Sequence, residues 1–301
     1  MNKISSLLTC TVFACILPLS VSSDIGGTDE LKDTAKTQFF GALSDMVSGL
    51  SESLETEQIK YADLSLVEED WIVGGQITAV IGLSEAENTV KFTQLSASHL
   101  DGRTTANIGI GVRTIPDGWE AIIGANAFVD AELSSGHQRI GIGAEYLSLS
   151  GSIRVNHYQG ISDEKTYKGV REKALDGTDV KLSYQLELPA SPEVFYRAFE
   201  WKGDNSYKVK GREAGARLTL SEHLILQVSN KDDDKSKSEN KAELSYLLPL
   251  GTSDKSRTAE IGVNEGSTAR AQLRQMLYKP VQRENRIRKS QIRLGVVMSS
   301  Y

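Results

Sequence analysis

From about Glu57 onward, apolar and polar residues alternate with a period of two. In the clearest run, Val180, Leu182, Tyr184, Leu186 and Leu188 fall on one face, and Lys181, Ser183, Gln185 and Glu187 on the other. Thr104, Ala106, Ile108, Ile110 and Val112 alternate with Thr105, Asn107, Gly109 and Gly111. Ile140, Ile142, Ala144 and Tyr146 alternate with Arg139, Gly141, Gly143 and Glu145. Ala242, Leu244, Tyr246 and Leu248 alternate with Lys241, Glu243 and Ser245. A period of two is the signature of strands with one apolar and one polar face. About twelve such runs fit between Glu57 and Leu250, separated by turn-like stretches at Ser84–Asn88, Pro116–Gly118, Ser134–Gly136 and Ser229–Ser238. No helical crossover interrupts them, which disfavours a parallel sheet.

Before Glu57 the period differs. Leu31, Ala35, Phe39, Leu43, Val47, Leu50 and Leu54 recur at three- and four-residue steps, the spacing of one helix face. Further upstream, Met1-Asn2-Lys3 gives a basic start, Ile4 to Leu19 an apolar run, and Val21-Ser22-Ser23 a small-residue end. This is the pattern of a secretory signal peptide cleaved after Ser23. After Leu250 the alternation stops. Gly251–Arg257 reads as a linker, and Ala269, Leu273 and Leu277 as a short helix.

Alternation alone fits a soluble sandwich as well as a membrane barrel. Strands near ten residues are longer than the usual five or six, and the polar faces mix Arg, Lys, Glu, Asn and Gly as a water-filled lumen would. Barrel strands look almost soluble by average hydropathy, so a mean hydropathy of -0.29 is compatible with a membrane barrel. The expectation is an all-β, antiparallel transmembrane β-barrel of about twelve strands, with a short N-terminal helix and a C-terminal linker helix. Its parts would be a signal peptide (1–23), a periplasmic helical segment (24–56), an outer-membrane barrel (57–250), and a linker with a short passenger stub (251–301).

A net charge of -6 argues against a nucleic-acid partner. Both cysteines, Cys10 and Cys15, lie in the signal segment, so no disulfide framework or thiolate metal site is expected afterwards. His99, His137, His157 and His223 show no ligand spacing, so no metal or other cofactor is expected. The GxG strings at Gly109 and Gly141 lack the helix that a dinucleotide site needs; glycines on a lumen face more simply make room for a plug. An outer-membrane hydrolase would need a Ser/His set at the barrel rim. His157 and Ser162 are candidates, but loop polarity explains them as well, so catalysis is not expected. Arg139 and Glu145 read as lumen ion-pair partners rather than as general acid and base.

The stretches KFTQLSASHLDGRTTANIGIGVR (Lys91–Arg113) and GWEAIIGANAFVDAELSSGHQRIGIGAEY (Gly118–Tyr146) resemble the barrel domain of the intimin/invasin family, the inverse autotransporters. Asn126, Phe128, Asp130, Gly136, Arg139, Gly141, Gly143, Glu145 and Tyr146 occupy the positions of that family's motif. The tail LRQMLYKPVQRENRIRKSQIRL is similar to the family's segment just beyond the barrel. Tyr246 and Leu248 resemble the assembly signal of a final outer-membrane strand, with Glu243 where Gly is usual. The resemblance implies a Gram-negative anchor or translocator barrel in the cell outer membrane, exported through the periplasm. Its expected partners are outer-membrane lipid, the barrel assembly machinery, and a separate passenger or host surface for cell adhesion. A large passenger is expected to be lacking. The alternative is a structural or pore-forming barrel presenting the loops Gln159–Asp176 and Ser229–Ser238.

The family pattern also implies that the chain after Leu250 turns back into the lumen. Ser267 to Tyr301 holds eight Lys and Arg against one acid, Glu284. A solvated stub, a lumen linker and a site for an anionic partner all fit that bias. On the lumen reading, Glu145, Glu187, Glu213 and Glu243 face inward with Arg139, Lys181, Arg217 and Lys241. Arg270 and Arg274, one helical turn apart, would meet such carboxylates, and Ser267–Tyr278 would plug the pore.

Overall fold

The computed structural model describes residues 58–188, 192–248, 268–293 and 296–300. The expected signal peptide, the helix before Glu57 and the linker Gly251–Arg257 lie outside these residues.

The period-two segments form twelve antiparallel strands closed into a barrel. In chain order the wall contains β1 (Ile59–Glu69), β2 (Ile72–Glu85), β3 (Thr89–Leu100), β4 (Arg103–Thr114), β5 (Ala121–Glu132), β6 (His137–Ser148) and β7 (Gly151–Gly160). A short hairpin follows, β8 (Lys165–Tyr167) and β9 (Val170–Ala174). The wall resumes with β10 (Asp176–Gln185), β11 (Glu193–Lys202), β12 (Lys208–Ser221), β13 (Leu224–Asp233) and β14 (Glu239–Leu247). β14 pairs with β1, from Asp63↔Leu247 to Glu69↔Lys241, and this closes the ring. Closure leaves no wall strand with an unpaired edge, the condition for placing sheet in hydrocarbon.

The alternation faces opposite to that of a water-soluble sheet. Ile110 and Ile142 are 62% and 60% exposed on the outside, while Arg113, Asp130 and Arg139 are fully buried inside. Strands of 9 to 14 residues, tilted as in a barrel, match the thickness of a bilayer. No helix among the described residues is long and apolar enough to cross a membrane.

Turns divide the barrel into two ends. At the near end, where β1 begins and β14 finishes, the connections are turns such as the one between Ser148 and Gly151. The excursion carrying β8 and β9 stands at the far end, so the expected polar loop Gln159–Asp176 contains a hairpin. The expected loop Ser229–Ser238 is shorter, because β13 runs on to Asp233 through the pairs Gly211↔Asp233 and Lys231↔Glu239. Exposed Tyr146, Tyr184, Tyr196 and Tyr246 sit near the near end, and Trp71 is 95% exposed at the far tip. The four tyrosines have the placement of an aromatic girdle at one interface.

After β14, the short helix α1 (Ala269–Met276) starts at Thr268, whose side chain accepts from the Ala271 N–H. Beyond it, β15 (Lys289–Arg293) pairs with β9, and β16 (Val296–Ser300) with β15.

Glycine spacing on the inner face fits mostly the side chains of neighbouring strands. A Cβ on Gly109 would lie 2.3 Å from the Phe128 ring, and one on Gly177 would lie 2.0 Å from the Trp201 ring. Only at Gly141 is the closest atom from the tail, Arg283 at 2.9 Å. Overpacking of this kind costs about 1–3 kcal/mol. Gly177→Ala is therefore expected to lower the denaturant midpoint in lipid vesicles, whereas Gly136→Ala, with open space around it, meets only backbone strain.

Candidate functional site: a lumen crossed by the chain

At its near end the lumen is apolar. Tyr61, Val80, Val90, Phe92, Ile115, Ile122, Phe128 and Leu147 form a cluster that takes up Leu273 of α1, Leu277 at its C-cap and Val281 beyond it. The i, i+4 spacing of Leu273 and Leu277 puts both on the helix face turned into this cluster. The helix is thus held at the mouth by apolar contact. Its two arginines turn to carboxylates on the near-end turns, Arg270 to Asp117 at 3.5 Å and Arg274 to Glu87 at 3.3 Å. They do not reach the lumen carboxylates expected for them.

The chain then runs up the lumen from Lys279 to Lys289, and the wall grips its backbone one group after another. Arg113, held by Glu145 at 2.8 Å, donates to the Leu277 carbonyl at 2.9 Å and to that of Lys279. Gln94 pairs with both polar groups of Val281, accepting from its N–H at 2.7 Å. Asn156 donates to the Gln282 carbonyl, Arg139 to that of Glu284 and Asn107 to that of Asn285. The Glu284 N–H donates to the Tyr158 hydroxyl at 2.8 Å. A segment outside any sheet would leave these groups unpaired; here wall side chains take the place of a partner strand.

Side chains add a charge pattern. Asp130 accepts from Arg139, from both terminal nitrogens of Arg283 at 2.8 and 2.7 Å, and from Asn107. The Arg283 guanidinium also stacks 4.3 Å above the Phe128 ring, and Arg139 stacks 4.4 Å from that of Tyr158. Glu284, the only acid of the tail, receives Arg197 of the wall at 3.1 Å and its own neighbour Arg288 at 3.0 Å. Arg286 pairs with Glu69, and Lys289 with Glu132. A basic segment therefore sits in a lumen whose acids meet Arg283, Arg286 and Lys289.

At the far mouth the exit is fastened to the wall. Arg103 bridges Glu132 of the wall at 2.7 Å and Glu172 of β9 at 2.8 Å. Leu175 donates its N–H to the Arg288 carbonyl, and β15 then continues along β9 from Lys289↔Ala174. On the exposed side of this hairpin, the bond from Lys173 to Asp204 holds the lysine above its ordinary range.

The remaining candidates are dispersed. Arg139 and Glu145 both lie in the lumen but pair with Asp130 and Arg113, not with each other. Glu213 takes Arg197 at 3.1 Å, and Glu243 takes Lys241 at 3.1 Å. Arg217 lines the open side of the lumen. Glu187 lies past the end of β10 and is exposed, because the strand pairing stops at Gln185. Of the motif positions, Asn126, Phe128, Asp130, Gly141 and Gly143 face inward, Gly136 makes a far-end turn at φ 79°, and Tyr146 faces outward. His157 meets Thr178 on the outer face, and Ser162 instead stands 3.2 Å from His137. Among the described residues, no group of three His, Cys, Asp or Glu side chains is arranged to hold a metal.

The sequence alone did not single out Gln94, Arg113, Tyr158 and Arg197 as contacts of the crossing segment. Their visible signal was a large polar side chain on the inner face of an alternating run, which does not say what lies opposite.

A family model described as "Inverse autotransporter, beta-domain" matches residues 18–285. The chain belongs to that family. It is similar to the "Putative attaching and effacing protein homolog" of Escherichia coli (strain K12), 37% identical over 109 residues, 34% of this chain and 35% of that protein. It is also similar to "Intimin" of Escherichia coli O157:H7, 28% identical over 232 residues, 71% of this chain and 24% of that protein. The chain thus spans about a third of the first of these relatives and about a quarter of the second. A solved structure reported as "Unveiling the Mechanism Behind the in-meso Crystallization of Membrane Proteins" shares the fold, with a TM-score of 0.63 and 19% identity over 75% of this chain and 98% of that one. This inverse autotransporter β-domain is an outer-membrane barrel, and its outer face lies in lipid.

Proposed function

We propose that the barrel serves as an anchor and translocator: it holds the chain that follows β14 across the outer membrane and delivers it to the cell surface. The observation that supports this is the continuous grip on 279–289, from Arg113 near one mouth to Glu132 at the other. Long excursions on membrane barrels face outward, so the far end with β8 and β9 is the cell exterior and the near end the periplasm. The role is that of a scaffold, not of a catalyst. On this reading, the barrel assembly machinery inserts the wall, residues up to 23 are removed on export, and adhesion belongs to whatever chain is displayed.

Cysteines at positions 94 and 281, with Cys10 and Cys15 changed to serine, test the threading. Oxidation is expected to link them in whole cells, because Gln94 bonds to the Val281 backbone. A pair at 94 and 232 should stay unlinked. If 94 and 281 fail to link in a heat-modifiable, folded barrel, the chain does not cross the lumen.

A further inference from the structure

We infer that the space left beside the crossing strand conducts small inorganic anions, chloride among them; this rests on the threading proposed above. The crossing segment is held mainly by β3 to β7 and β11. On the other side it meets the wall at few points, Glu69 with Arg286 and Gln76 with Asn285. What remains is a cavity of about 200 Å³, room for on the order of ten waters. Its lining includes Tyr61 and Glu69 on β1, and Glu239 and Ser245 on β14. These pairs lie near opposite ends of their strands, so the cavity runs along the barrel axis rather than across it.

Its charge is not balanced. Nine Lys and Arg line it against seven Asp and Glu, and most of these cations face a carboxylate. Lys241 meets Glu243, Lys231 meets Glu239 and Arg197 meets Glu213, all near 3 Å. Lys181, midway along β10, enters no ion pair among the described residues. Its ammonium stands 3.9 Å from the centre of the Phe195 ring, an attraction that does not neutralise a cation as an ion pair does. Its cross-strand neighbours are Arg154 on β7 and Arg197 on β11, so three successive strands place a cation at this level. Rings of charged side chains set the selectivity of water-filled pores. Here the lining carries more cations than acids, with Lys181 outside any ion pair, which draws anions and repels potassium.

The full chain in planar lipid bilayers under a KCl gradient tests this. Small steps are expected, with a reversal potential on the chloride side. Lys181→Glu should lower the chloride-to-potassium permeability ratio severalfold, and Lys181→Gln, similar in length and uncharged, should fall between. A silent full chain overturns the inference, and so does a cation-selective one. An unchanged ratio in both variants, each showing heat-modifiable mobility, removes Lys181 as the selector and the inference with it. The link between positions 94 and 281 reports threading without reference to current. If that link forms and the barrel is silent, only the conduit fails; if the link does not form, both readings fail.

Discussion

Asp130→Ala is expected to destabilise the folded barrel by about 3–5 kcal/mol, the cost of removing one partner from a buried ion pair. Asp130 is fully buried and its two oxygens serve Arg139, Arg283 and Asn107 together. Its loss leaves two guanidinium groups facing each other with no anion between them. The Arg283 side chain is nearly fully enclosed and Arg139 wholly so, which limits how far water can replace the carboxylate. Equilibrium unfolding in lipid vesicles should show the drop, and the crosslink between positions 94 and 281 should weaken, because Arg283 anchors the crossing strand. The double variant Asp130→Asn with Arg283→Met should recover part of the loss, since one stranded cation is removed with the anion. If Asp130→Ala unfolds like Asp232→Ala, a half-buried far-end change that loses one surface pair with Arg212, the network contributes little to the barrel.

A comparable loss is expected from the opposite face. Ile142 lies in the middle of β6, 60% exposed, with its side chain in lipid. Arginine there should cost about 2–4 kcal/mol, because a guanidinium at the bilayer midplane has no partner. The same change at Tyr146, near the end of β6, should cost about 0–1 kcal/mol, since the side chain reaches the interface. The readouts are folding yield into vesicles and the unfolding midpoint. Equal costs at both positions would mean that depth does not matter and that this face is not in lipid. A soluble sheet of the same sequence would give a third pattern, with the neighbouring Gly143→Arg tolerated. In this barrel, Gly143 is enclosed by the side chains of Asn126 and Asn156.

How much of this was legible in the chain differs between its parts. The wall was readable because a membrane barrel imposes one rule on every strand. The period of two is set locally by backbone geometry, and closure then follows from the need to pair each edge. The runs at Val180–Leu188 and Arg139–Tyr146 therefore showed which residues face lipid, and the inner-face polar residues followed by alternation. The end of β10 was not readable. Glu187 continues the alternation, yet pairing with β11 stops at Gln185, short of the break that Pro189 marks in the sequence. The Ser229–Ser238 stretch failed for the converse reason. Its charges read as a loop tip, while Lys231 is an inward residue whose acid, Glu239, arrives from the next strand.

The lumen divides the same way. The sequence alone determined that the tail is a short helix followed by a basic stretch with a single acid, and that the inner wall carries charges of both signs. Only the tertiary structure decided which meets which. Arg270 and Arg274 were placed by the helix face that buries Leu273 and Leu277, which turned them to Asp117 and Glu87 at the rim. The central contacts went instead to Arg283 and Glu284, whose partners lie on strands more than eighty residues away in sequence. Alternation fixes the side on which a residue points. The residue it faces across a closed ring depends on register, on the tilt of every intervening strand, and on the depth at which α1 seats, and each of these is set by contacts distant in the chain.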